Sequence, residues 1–358
     1  MGIEDELKVF KARLDKKIEA HFSSVIQETK KEDEFVASTL EYAKEMLLGG
    51  GKRLRAAFMY HGYLGAGGRE EEKILLASMS IEYIHLFLLV HDDIIDRDDQ
   101  RHGFETLHRY YANKGKYLFP KKDTEHFGNA MAIIVGDVLS ALGNDIIFRS
   151  DFPLEKKFAA LSKLQNIISY TVIGQTRDVY MEYLGKASEE EILAMYKNKT
   201  AKYTVEGPLH LGALLAGADE ALLEKFSAYA IPLGIAFQIQ DDILGIFGDE
   251  QRLGKPVGSD IKEGKITLLV TKALHRGSAV EQKRIREILS LGERLTRDDI
   301  VEFRGLIEKT GALDATKKLA LEYIEKGKET LEGLRGTLKE PSWKFLSDIA
   351  LYMCQRKY

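Results

Sequence analysis

Three features of the sequence predict an all-α fold. Apolar residues recur at three-to-four spacing through its long segments, only six prolines occur in 358 residues, and no run alternates apolar with polar side chains as a strand would. No fixed-period repeat or linker divides the chain, so residues 1–358 are read as a single helical domain.

Leu7, Phe10, Leu14, Ile18 and Phe22 give the first helix its stripe and place it over 4–22. A second helix covers 34–48. Gly49-Gly50-Gly51 breaks the chain, and a third helix restarts near Lys52 or Arg53. After a glycine turn at 65–68, residues 70–96 form a long central helix. Residues 103–123 mix aromatics, glycine and charge, which predicts a short helix and a loop. Two more long helices are placed over 129–148 and 154–183, the first with Gly136, Asp137 and Ser140 set in an apolar face. Ser188 and Glu191 form a capping box for a helix ending at Tyr196. Lys197-Asn198-Lys199-Thr200 reads as an interruption before a helix over 203–215. Asp219 caps the next helix, which runs toward Phe247 with Pro232 as an expected kink. Four glycines and one proline make 248–264 a structured loop. From Lys265 onward the pattern is helical, with turns near Gly292 and Gly311 and Pro341 in the first turn of the last helix.

Composition narrows the function. A content of 44% apolar and 30% charged residues supports a buried core, and a net charge of −4 argues against a nucleic-acid partner. One cysteine, Cys354, excludes an internal disulfide framework and a cysteine-built zinc site, which fits a reducing cytoplasm. The acidic opening Met1-Gly2-Ile3-Glu4-Asp5-Glu6 has no signal-peptide apolar core, and Glu6 stands where a myristoylation signal needs Ser or Thr. The most apolar window, 74–90, includes Glu82 and His85 and is short for a membrane span, so it is read as a core helix.

Chemistry concentrates where that window ends, in His91-Asp92-Asp93-Ile94-Ile95-Asp96. Positions i and i+4 share a helix face, so Asp92 and Asp96 project together, with His85 two turns back. Like charges at that spacing weaken a helix by about a few tenths of a kcal/mol per pair, and hard divalent cations prefer such oxygens. An EF-hand is excluded because no glycine follows the third ligand position. A second pair, Asp241-Asp242, ends another apolar helix, with Gln238 one turn before it. Gly50-Gly51-Lys52-Arg53-Leu54-Arg55 is not a P-loop, yet a helix start carrying Lys52 and Arg55 can hold phosphate. Lys199-Thr200, Gln175 with Asp178, and the run Gly254-Lys255-Pro256-Val257-Gly258-Ser259-Asp260 through Lys265 are further polar candidates. Acidic helix ends facing basic turns suit a diphosphate substrate held with Mg²⁺.

Gly50-Gly51-Lys52-x-x-Arg55, Asp92-Asp93-x-x-Asp96, Lys199-Thr200, Gln238-x-x-Asp241-Asp242 and Gly254-Lys255-x-x-Gly258-Ser259-Asp260, in that chain order, resemble the motifs of the trans-isoprenyl diphosphate synthases, the polyprenyl synthetases. The resemblance implies an all-α bundle around a deep central cavity, usually a cytoplasmic homodimer without a membrane span. It implies that Lys52, Arg55 and His85 bind the diphosphate of isopentenyl diphosphate. Asp92, Asp96 and Asp241 would hold two or three Mg²⁺ ions, with Mn²⁺ as a substitute. Arg101, Lys199, Thr200, Gln238, Lys255 and Lys265 would grip the allylic diphosphate. Ionisation of the allylic diphosphate, attack by isopentenyl diphosphate and proton loss would then lengthen the chain by one isoprene unit. Two positions depart from the family pattern: His102 stands where a second Arg is usual, weakening that contact to isopentenyl diphosphate, and Gly245 where many relatives have Asp. Phe87 and Leu88, fifth and fourth before Asp92, resemble the chain-length positions of geranylgeranyl (C20) synthases. Phe87 is the expected block to elongation, although ideal helix geometry puts Leu88, not Phe87, on the face of Asp92. A C15 or longer-chain synthase, a terpene cyclase and a non-catalytic regulatory subunit are the alternatives.

Overall fold

The first helix outruns its expected end because Ile26 continues the buried stripe: α1 spans Ile3–Glu32. The computed structural model describes residues 2–248 and 258–354, so Lys255 lies outside the described residues. α2 (Glu34–Gly49) is capped by Asp33, which accepts from the Val36 amide at 3.0 Å. α3 (Leu54–Gly65) and α4 (Glu71–Asp96) follow the glycine turns where the sequence puts them. Then come α5 (Leu107–Leu118), α6 (Thr124–Phe148, capped by Asp123), α7 (Leu154–Leu184) and α8 (Glu189–Tyr196). The Ser188–Glu191 capping box of α8 is present in full. α9 (Gly207–Ala216) and α10 (Glu220–Phe247) complete the central bundle, and α10 continues through Pro232 as one helix. Beyond it lie α11 (Ser259–Glu263), α12 (Leu268–Arg276), α13 (Ala279–Leu289), α14 (Arg297–Lys309), α15 (Ala312–Glu332) and α16 (Glu340–Cys354).

Two further features depart from the sequence reading. Residues 197–206 do not interrupt the helix; they form a π-helix that joins α8 to α9 as one rod. The i→i+5 winding keeps the rod continuous where a 3.6-residue period would fail. The second is a hairpin, β1 (Gln100–Arg101) with β2 (Phe104–Glu105). Its two loop residues, His102 and Gly103, have φ of 52° and 83°, the positive values a tight two-residue hairpin turn requires. Two-residue strands are too short to leave an alternating signature.

The apolar core forms two clusters. One gathers α1–α7, α9, the N-terminal part of α10, the end of α15 and α16; the other gathers the end of α7, α8, the C-terminal part of α10 and α11–α15. α4, α6 and α10 are long and apolar enough to cross a membrane by length and composition. The apolar windows of α4 and α10 are 67% and 72% buried inside the protein, whereas that of α6 is 39% buried.

α3 and α9 approach at backbone distance. A Cβ on Gly212 would lie 1.9 Å from the Met59 carbonyl oxygen, so no side chain fits there. Gly212→Ala should therefore destabilise the protein by about 1–3 kcal/mol, the usual cost of overpacking. Urea denaturation measures this, and an unchanged midpoint would mean the two helices separate freely.

Candidate active site

Asp92 and Asp96 sit in the last turn of α4, and Asp241 near the end of α10. Carboxylates are unfavourable at a helix C-terminus, where the macrodipole is negative, so each end needs positive charge nearby. All three line one cavity of about 810 Å³, enclosed by α4, α7, the π-helix, α10 and residues 260–267.

Two lysines supply the charge. Lys199 Nζ lies 2.6 Å from Asp178 and 3.8 Å from Asp92. Lys265 Nζ lies 2.7 Å from Asp96 and 2.7 Å from Glu263. Burial works against both ammonium groups, but the surrounding carboxylates outweigh it and hold them above the usual lysine range. Burial, then Asp92, pushes the Asp96 carboxyl up, and Lys265 and Lys199 pull it back.

The π-helix aims Lys199, Thr200, Tyr203 and Thr204 at the same cavity. It fits because its neighbours are bare beside it. A Cβ on Gly174 of α7 would lie 2.4 Å from the Lys199 amide nitrogen, and one on Gly234 of α10 would lie 2.4 Å from Ala201 Cα.

The second aspartate pair divides its work. Asp241 stays half-buried, whereas Asp242 is buried, receives hydrogen bonds from the Tyr196 hydroxyl and from Gln238 Nε2 (2.8 Å), and is pushed up to about 7 by burial. Gln238 also accepts from Thr200 Oγ1 at 2.6 Å, so both ends of its amide are engaged within the protein. Gly245 is likewise explained: a Cβ there would lie 2.6 Å from Asp260 Oδ2, so the Asp260 carboxylate occupies that space. Asp260 and Asp178 both line the cavity, and the sequence reading gave neither a role. Their signals were present, in the Gly-Ser-Asp run and in the Gln175–Asp178 pair.

Arg101, on β1, donates from Nε to the buried Asp93 at 2.5 Å and pairs with Asp98 at 3.2 Å. Burial pushes the Asp93 carboxyl up, and Arg101 opposes it. The hairpin thus hangs on the aspartate that Asp92 and Asp96 leave out.

A basic group occupies the other side. Arg55 donates from Nη1 to His85 Nε2 (3.1 Å) and from Nη2 to Thr204 (3.0 Å). A guanidinium only donates, so Nε2 accepts and the His85 proton sits on Nδ1, directed to the Tyr203 hydroxyl oxygen at 2.5 Å. Burial, reinforced by Arg55, holds His85 well below its ordinary value, which keeps it neutral. Arg53, passed over in the sequence, is buried against Asp15 (2.7 Å) and Glu82 (3.5 Å) and anchors the turn that presents Arg55. Lys52 is exposed, donates to Tyr352 at 2.5 Å and does not belong to the cavity lining. His102 lines the cavity from the hairpin turn, and burial, then Arg101 and Arg53, lowers its pKa. Phe87 and Leu88 both line the cavity, so it reaches round α4 beyond the face of Asp92.

The sequence profile of polyprenyl synthetases matches residues 37–304. The chain belongs to the polyprenyl synthetase family. It is 33% identical to a geranylgeranyl diphosphate synthase of Methanosarcina mazei over 100% of this chain and 99% of that one. It is 35% identical to a geranylgeranyl pyrophosphate synthase of Geoglobus acetivorans over 88% and 90% of the two chains. Among solved structures, the geranylgeranyl pyrophosphate synthase of Corynebacterium glutamicum, complexed with isoprenyl diphosphate and magnesium, superposes with a TM-score of 0.90 at 30% identity, each chain fully covered.

Asp242 provides a test of this polyprenyl synthetase site. Its carboxyl is raised in the folded protein, so any stability from keeping it protonated is present at low pH and lost as pH rises from about 4 through about 7. Asp242→Asn removes that loss. In metal-free buffer the melting temperature of the variant relative to wild type should rise between pH 5 and pH 8. A difference that does not change with pH would show Asp242 to be ionised throughout.

Proposed function

We propose that this polyprenyl synthetase is a trans-prenyltransferase that condenses isopentenyl diphosphate with an allylic diphosphate to give chiefly the C20 product, geranylgeranyl diphosphate. The observation that carries this reading is one cavity holding a carboxylate–lysine edge, a separate Arg55–His85 group and apolar walls that include Phe87 and Leu88. Two diphosphates and a growing hydrocarbon need those three surfaces.

The donor set fits Mg²⁺. Among the described residues, no three acidic or histidine side chains gather closely enough to chelate an ion unaided. Mg²⁺ is commonly held in that way, by one or two carboxylates completed by substrate phosphate oxygens. Asp92 and Asp96 would hold it at one wall and Asp241 at the other, as two or three ions, with Mn²⁺ as a substitute. Ions held there would supply the positive charge that offsets the leaving diphosphate as the allylic C–O bond ionises.

The protein's own groups do the rest. Lys199 and Lys265, kept charged by their neighbours, receive the allylic diphosphate together with Arg101, Thr200 and Lys255. Gln238 acts by holding Thr200 in place. Arg55, His85 and His102 orient isopentenyl diphosphate, and Lys52 meets it from the rim. Its double bond attacks the allylic cation, and the proton lost afterwards goes to the departed diphosphate. No protein nucleophile is required, and the apolar walls keep water from the cation.

Residues 1–358 act as one catalytic domain, since α10 contributes to both apolar clusters. The protein works as a soluble cytoplasmic homodimer. Ile133, Ile134 and Phe148 on α6 and Phe158, Val172 and Ile173 on α7 are exposed, an apolar surface that a second copy would cover. Sedimentation equilibrium should give twice the 40.4 kDa chain mass, and a monomer mass would refute the dimer.

The activity is tested by incubating the protein with isopentenyl diphosphate, each allylic primer and Mg²⁺. Chains ending at C20 are expected, with turnover abolished by EDTA. Absence of elongation overturns the reading, and a C15 or longer end product corrects the length alone.

A further inference from the structure

His91 closes the apolar run of α4, directly before Asp92, and the mechanism above gives it no task. We propose that His91 is a positioning residue for product length, bracing Phe87 from a seat on α6 that Gly136 leaves open. This rests on the elongation reading and on Phe87 as part of the floor.

Residues 87 and 91 are one turn apart on α4, and both line the cavity. Their rings meet edge to face, with centroids 4.9 Å apart and planes at 75°. The far end of His91 is anchored on another helix. Nε2 lies 3.2 Å from the Ile133 carbonyl oxygen. A carbonyl only accepts, so Nε2 carries the proton. The same nitrogen is 3.9 Å from the Asp137 carboxylate.

The seat exists because residue 136 has no side chain. A Cβ there would lie 2.4 Å from His91 Nε2 and 2.7 Å from Cδ2, and the three nearest atoms to it all belong to His91. Gly136 therefore serves this imidazole specifically. An unbraced phenyl ring changes rotamer at less cost than an isoprene unit gains by burial, so Phe87 alone would be a weak stop. With His91 fixed to the α6 backbone and packed edge to face against the phenyl ring, that ring has less room to yield.

The test compares full-length wild type, Phe87→Ala, His91→Ala, Gly136→Ala and the double variant His91→Ala/Gly136→Ala. Each is checked for folding by circular dichroism, and product lengths are read by chromatography as a distribution, independent of total rate. Phe87→Ala should lengthen the main product. His91→Ala, with Phe87 intact, should shift it in the same direction by one isoprene unit or more. Gly136→Ala should shift the wild-type distribution yet leave that of His91→Ala unchanged, since the three atoms nearest the added methyl all belong to the imidazole. Wild-type products from a folded His91→Ala, or from a folded Gly136→Ala should His91→Ala be inactive, overturn the proposal. If Phe87→Ala also leaves length unchanged, the fault lies in the floor assignment beneath it, and if wild type elongates nothing, in the elongation reading.

Discussion

Two buried lysines set among carboxylates decide how this cavity is built. An ammonium group taken out of water is costly unless opposite charge is close. Lys199 meets that demand with Asp178 and Asp92, and Lys265 with Asp96 and Glu263. The carboxylates have the same need, because Asp92 and Asp96 repel one another at the negative end of α4. Each set makes the burial of the other tolerable. α4, α7, the π-helix and the segment around Glu263 must therefore arrive at one place together, although they are far apart in sequence.

Behind that charged edge lies a second set of polar contacts that never leave the protein. Tyr196 donates to Asp242 and accepts from the Leu268 amide at 3.1 Å, while Gln238 links Asp242 to Thr200. This seam ties α8, the π-helix, α10 and α12 into one wall. It also distinguishes two adjacent aspartates that look equivalent in sequence and both line the cavity: Asp242 is buried within this seam, whereas Asp241 is half-buried.

How much of this was legible follows from the range of each interaction. Caps at Ser188, Asp219 and Asp123 act over three residues and leave local signatures; the first two were read from sequence. Asp92 and Asp96 were legible because helical spacing alone puts them on one face. Arg53 was not, since Asp15 and Glu82 lie 38 and 29 positions away. Nor was the relation of Asp260 to Gly245, where two motifs meet only after folding. Phe87 lines the cavity although helical projection puts it off the face of Asp92, because the cavity extends round α4, and that extent has no local sequence signal. The stretch 197–206 looked like a break because sequence patterns are tuned to 3.6 residues per turn.

That stretch has a consequence for how the chain can change over time. A π-helix contains one more residue per turn than the α-helix around it. Deleting a single residue between 197 and 206 would remove that extra residue, restore regular α-winding and leave the flanking helices in phase. The fold would tolerate such a deletion, while side chains inside the re-wound segment, Lys199 and Thr200 among them, would turn to new bearings on the cavity. Substitutions can accumulate in this rod, whereas a change in its length cannot pass unnoticed by the cavity.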